Sequence, residues 1–132
     1  MGDIDVLAWT PSGDAAFVIE CKHLRFARTV GEVGEQLRRF RGQPGDDLYV
    51  HMRRLKWLSE NFSSLKRKLD LRDGFRIYQL LVTETLVPMA FVRGLPIPRE
   101  TVVSATQLPA TIERRPLPGE IFPSGTDEMF TI

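Results

Sequence analysis

Polar and apolar side chains alternate from Asp3 to Trp9, with Asp3, Asp5 and Leu7 on one face and Ile4, Val6 and Ala8 on the other. This is the period-two pattern of a strand, and it returns from Ala16 to Lys22. Between the two runs lies Pro11-Ser-Gly-Asp14, whose residue types favour a chain reversal, so the pattern predicts an antiparallel hairpin. If the turn is centred between Ser12 and Gly13, the numbers of paired residues sum to 25. Asp5 then faces Glu20, and Asp3 faces Lys22. Directly opposed residues share a face, so one surface carries Asp3, Asp5, Glu20 and Lys22, while Ile19 and Cys21 turn to the other with Ile4 and Val6.

Further along, Thr29-Val-Gly-Glu32 has the form of a capping box and predicts a helix start. Val30, Val33, Leu37 and Phe40 follow at helical spacing as its buried stripe, and Gly42 with Pro44 ends it. Glu35 and Arg39 are spaced for a surface pair across one turn. Leu48, Met52, Leu55, Leu58, Phe62, Leu65 and Leu69 then predict one long amphipathic helix, with Arg53, Arg54, Lys56, Lys66, Arg67 and Lys68 on its outer face. Trp57 beside that face can stack on a base or pack under the helix, and packing is the favoured use. Asp73-Gly74 breaks the chain before a strand apolar on both faces from Ile77 to Val82, the pattern of a covered central strand. A helical crossover from Lys22 predicts that it lies parallel to the second hairpin strand. Thr101 to Ser104 reads as an edge strand and Gln107 to Glu113 as a turn or short helix. The chain divides into an α/β domain over 1–114 and an extended tail over 115–132.

Composition narrows the class. A chain of 132 residues with 42% hydrophobic and 27% charged side chains suits one globular domain. The single cysteine excludes a disulfide framework and reads as a small buried hydrophobe in a reducing compartment. No long apolar run, signal peptide or lipidation motif is present, so a cytoplasmic protein without a membrane partner is expected. The net charge of +1 is uninformative, but its distribution is not. Residues 1–37 hold 3 basic and 6 acidic side chains, whereas residues 38–68 hold 9 and 3. An acidic centre beside a basic surface suits phosphodiester chemistry, in which Lys and Arg hold phosphates and carboxylates hold a cation.

The hairpin supplies the candidate chemistry. Two carboxylates opposed across a ladder, with roots roughly 5 Å apart, repel unless a positive charge lies between them. Mg²⁺ is the natural candidate, since one or two carboxylates leave its remaining positions to water or substrate phosphate. Lys22, on the same face as Glu20, can hold and polarise a water or stabilise developing charge. These residues resemble the signature of the PD-(D/E)XK nuclease superfamily, an acidic residue on one strand and Glu-x-Lys on the next. The resemblance rests on Asp5 in Gly2-Asp-Ile-Asp-Val-Leu-Ala8 and on Glu20-Cys-Lys22, and is nearest to the Mrr-type restriction endonuclease and Holliday-junction-resolvase branches. No proline precedes Asp5. Members usually open with a helix and a strand that this chain does not contain, so the resemblance implies a fragment of a longer protein.

The resemblance implies a restriction-endonuclease-like mixed sheet flanked by helices, lacking its N-terminal helix and first strand. It implies Asp5, Glu20 and the Cys21 backbone carbonyl as ligands of Mg²⁺, with Mn²⁺ as substitute. Lys22 would orient the attacking water, and Gln36, on the helix after the Glu-x-Lys strand, would support the site. Arg25, Arg28, Arg53, Arg54 and Lys56 are the candidate nucleic-acid contacts, with DNA the first expectation and a homodimer compatible with it. The competing readings are a non-catalytic nucleic-acid-binding or assembly module on the same fold, and an unrelated α/β interaction domain.

Overall fold

A computed structural model describes residues 3–114 and 116–123. A five-stranded mixed sheet is flanked by helices, so the chain is an α/β protein. Strands β1 (Val6–Trp9) and β2 (Ala15–Lys22) form the predicted hairpin, with Val6 opposite Ile19 and Trp9 opposite Ala16. The pairing sum of 25 therefore holds through the strand. The reversal is held by a hydrogen bond from the Gly13 N–H to the Thr10 carbonyl (3.0 Å), and Gly13 has a positive φ of 75°. Helix α1 (Val30–Arg38) follows, then α2 (Asp47–Glu60) and α3 (Phe62–Leu69). Strand β3 (Arg76–Thr83) runs parallel to β2 over its whole length, as the crossover required. Strand β4 (Val102–Ser104) adds a parallel edge to β3, and helix α4 (Leu108–Glu113) follows it.

Each face of the sheet has its own cover. Ala16 and Val18 of β2 and Ile77 of β3 pack under Leu55 and Leu58 of α2 and Leu65 of α3. Phe17, Ile19, Tyr78 and Leu80 turn to the opposite face, where Leu108 and Ile112 of α4 and Leu117 pack. Leu55 is fully buried, and burying a leucine side chain contributes about 1.5–3 kcal/mol, so the inner stripe of α2 fixes that helix over Ala16 and Val18 of β2.

Several expectations need correction. The first strand begins at Val6, not Asp3, because the chain bends at Asp5. That bend breaks the alternation, and Ile4 packs with Leu7 on the α2 side. The long helix from Leu48 is two helices, since Asn61 leaves helical geometry (φ −119°, ψ 28°) and its side-chain amide donates to the Trp57 carbonyl (2.8 Å). Thr29 does cap α1 through the Glu32 N–H (3.1 Å), but Val30 is 91% exposed and takes no part in a buried stripe. Glu35 pairs with Arg38, while Arg39 pairs with Asp47 across to α2. Trp57 does not pack under its helix; it is 44% exposed. The described part of the tail is extended but not free. Strand β5 (Glu120–Ile121) pairs antiparallel with β3, and the Ser59 hydroxyl of α2 donates to the Phe122 carbonyl (2.6 Å).

Candidate functional site

The sheet carries a buried carboxylate at the C-terminal end of β2. Apolar from Ala15 to Ile19, the strand turns polar at Glu20, whose side chain faces α2 with those of Ala16 and Val18. Glu20 is buried, at 5% exposure. A carboxylate so placed requires compensation. It receives it from Arg54 of α2, which pairs with Oε2, and from Lys22, whose Nζ lies 3.4 Å from Oε1. Arg54 was expected on the outer face of its helix. Its side chain is only 14% exposed and points inward, because it shares a stripe with His51, Leu55 and Leu58 at spacings of three and four residues. The outer-face placement of Arg54 is corrected accordingly.

Asp5 reaches β2 by another route. Since β1 begins only at Val6, the Cys21 N–H has no ladder partner there, and the Asp5 Oδ2 accepts its hydrogen bond at 2.9 Å. Cys21 itself is exposed, not buried, because the opposite-face cluster of Phe17 and Ile19 does not extend to it. Partial desolvation of the thiol, then the negative charges of Asp5 and Glu20, push its pKa up. Both carboxylates thus lie close enough to bear on residue 21. Asp3 is exposed and outside the strand.

Behind Glu20 lies a buried polar chain that sequence reasoning missed. The Thr101 hydroxyl donates to the Pro98 carbonyl (2.7 Å), so its oxygen accepts from Gln79 Nε2 (2.8 Å). Gln79 Oε1 therefore faces His51 Nε2 (2.9 Å), which must carry the proton. His51 Nδ1 is left as a lone pair 3.9 Å from Glu20 Oε2. Burial holds the His51 pKa below its ordinary value, which keeps the ring neutral. Gly119 protects this arrangement, since a Cβ there would lie 2.7 Å from Gln79 Nε2. One signal was available in the sequence: His51 lies on the apolar side of its helix, one turn before Leu55.

The remaining candidates fall elsewhere. Gln36 is buried, and its Nε2 donates to the Arg25 carbonyl (2.6 Å), fastening α1 to the preceding loop; no hydrogen bond joins it to Asp5, Glu20 or Lys22 among the described residues. Arg25, Arg28, Arg53 and Lys56 are exposed, and none of them has an ion-pair partner among the described residues. His23 pairs with Glu84 at the surface.

A family model described as anti-phage protein Upx-like matches residues 1–108. The chain belongs to that anti-phage Upx-like family. No curated protein and no solved structure matches it. In this Upx-like chain the matched span includes the hairpin, both ends of the Glu20–Arg54 pair and the whole His51–Gln79–Thr101 chain.

The donor set sets limits on a cation. No group of three or more His, Cys, Asp or Glu able to hold a metal occurs among the described residues, so a closed cage of side chains is not available there. Two carboxylates and a main-chain carbonyl suit instead a hard cation that keeps water or phosphate oxygens, which is the habit of Mg²⁺. Arg54 competes with such an ion for Glu20 Oε2, while Oε1 has only the longer contact to Lys22. No helix among the described residues is long and apolar enough to cross a membrane.

Proposed function

We propose that this Upx-like protein acts in phage defence as a metal-dependent nuclease, hydrolysing phosphodiester bonds with DNA as its first substrate. The observation that carries the reading is the pairing of Lys22 Nζ with Glu20 Oε1 at 3.4 Å, at the end of a central strand, with the Asp5 carboxylate bound to the intervening Cys21 N–H. That grouping matches the acidic residue and Glu-x-Lys that underlie the resemblance to PD-(D/E)XK nucleases. The family's anti-phage description is compatible with cleavage of invading nucleic acid.

In this reading Asp5, Glu20 and the Cys21 carbonyl would hold Mg²⁺. The bound ion would supply charge stabilisation at the phosphate under attack. Lys22 orients the attacking water through its ammonium, which Glu20 keeps in place. Arg54 pairs with Oε2 and fixes the Glu20 rotamer, and the neutral His51 presents a lone pair rather than a proton toward that oxygen. Exposed Arg25 and Arg28, just beyond Lys22, are placed to meet phosphates.

A calorimetric titration with Mn²⁺ tests the site. Binding should weaken by at least tenfold in Glu20→Gln; equal affinity in variant and parent puts the ion elsewhere or nowhere. A second reading, a non-catalytic nucleic-acid-binding module, is favoured by one observation. Arg54 already neutralises Glu20 within the chain, so the carboxylate needs no metal to be stable where it is.

A further inference from the structure

The outer face of α2 carries an exposed aromatic ring among cations. Val50, Arg53, Lys56 and Trp57 are all exposed, and Glu60 is the acid at the far end. Trp57 is 44% exposed, and it takes part in neither of the aromatic pairs found among the described residues, Phe17–Tyr78 and Phe62–Phe75. Arg53 and Lys56 flank it one turn before and one residue before, without carboxylate partners among the described residues. Arg54, whose guanidinium holds Glu20, is one turn from Trp57, a rise of about 4.5 Å and a rotation of about 60° around the helix axis. The ring therefore lies on the solvent side of the helix that covers Glu20, one turn past Arg54.

A large apolar ring left in water is unfavourable, and its surroundings exclude most ways of covering it. Two cations on its helix face, without ion-pair partners among the described residues and set against the one acid Glu60, disfavour a basic or purely apolar partner and favour a polyanion. Among polyanions, one that also offers flat aromatic surface satisfies both the charges and the ring. Bases within a duplex have both faces covered by their neighbours, whereas unpaired bases have free faces. We infer that Trp57, Arg53 and Lys56 form a stacking and phosphate-binding platform for single-stranded nucleic acid, which names the substrate class of the site proposed above and rests on its nucleic-acid reading.

The test is binding without chemistry, in EDTA, so that cleavage plays no part. In a Trp9→Phe background the intrinsic fluorescence reports Trp57 alone, since the chain has 2 tryptophans. A short oligothymidylate and its oligouridylate counterpart should each be titrated, with a duplex of the same length as competitor. Saturable quenching is expected with at least one single strand, with the duplex competing at least tenfold less well; the oligonucleotide that binds tighter decides between DNA and RNA. Read by anisotropy of a labelled strand, Trp57→Ala should weaken binding about 5- to 100-fold, and Trp57→Phe should recover most of the loss. Unchanged affinity in Trp57→Ala, or a duplex that competes as well as the single strand, overturns the inference and leaves the nuclease reading standing. Failure of the parent to bind either form overturns both.

Discussion

Arg53 and Arg54 are neighbours in the sequence and opposites in the structure. Arg54 lies on the inner stripe of α2, where it pairs with the buried carboxylate of Glu20. Arg53 lies on the outer stripe, exposed and without an ion-pair partner among the described residues. A residue step of about 100° around the helix separates a cation that holds the fold and the site together from one that is free for a partner. The positive surplus of residues 38–68 is thus divided: Arg54 holds Glu20, Arg38, Arg39 and Lys66 pair with other carboxylates, and Arg53 and Lys56 have no ion-pair partner among the described residues.

The contrast predicts its largest effect in stability. Arg54→Ala leaves Glu20 buried with Lys22 as its remaining cation, and breaking such a pair costs about 3 kcal/mol, while Arg53→Ala stays within about 0.5 kcal/mol of the parent. Urea unfolding of the two variants should separate them clearly. Similar midpoints would erase the distinction between the faces. Glu20→Gln combined with Arg54→Met should regain much of the loss, because it removes both charges together.

A smaller effect belongs to the polar chain behind Glu20. Gln79→Leu strips His51 Nε2 and the Thr101 hydroxyl of a partner, and should cost about 2 kcal/mol by the same measurement. The histidine sharpens this further through pH. Its folded pKa lies below the unfolded value of about 6.5, so the unfolded state takes up the proton first as pH falls. Its contribution to stability is complete above about pH 6.5 and is lost as pH falls from there toward the folded value. Glu20, Arg54 and Lys22 are the charges that bear on it. The difference in melting temperature between the parent and His51→Gln, followed in EDTA, should therefore shift in favour of the variant as pH drops below 6.5. A difference independent of pH would mean that the ring is not held neutral.

The smallest stability change and a distinct binding change are expected on the outer face. Arg53→Ala with Lys56→Ala should leave unfolding nearly unaltered, yet flatten the salt dependence of nucleic-acid binding by roughly one to two units of log-log slope. An unchanged slope would remove these residues from the interface.

Much of this was legible in the sequence, for physical reasons that also explain what was not. The turn at Pro11 to Asp14 set the hairpin register, and the apolar run of β3 announced a covered strand parallel to β2. Glu20 and Lys22 share a face because strand periodicity leaves them no alternative. Asp5 was expected opposite Glu20, but the ladder stops at Val6 and Ile19, since a strand end can bend and trade its ladder position for a carboxylate bond to Cys21. Arg54 and His51 were misjudged or missed because polar residues on an apolar stripe look like interruptions until their buried partners are known. Those partners, Glu20 and Gln79, stand 34 and 28 residues away. The break at Asn61 was hidden by an apolar spacing that continues across it, as α3 packs on the same cluster as α2.

The central claim is that Lys22 works with Asp5 and Glu20 on a phosphodiester. It is tested most directly by incubating labelled single-stranded, branched and duplex substrates with the protein and Mg²⁺ or Mn²⁺, beside Lys22→Ala at matched metal occupancy. The account predicts cleavage of at least one substrate that EDTA stops, and its loss in Lys22→Ala while most of the metal affinity remains. Binding of those substrates with a normal salt slope, but no metal-dependent cleavage of any of them, would contradict it in favour of a module that holds nucleic acid without cutting it.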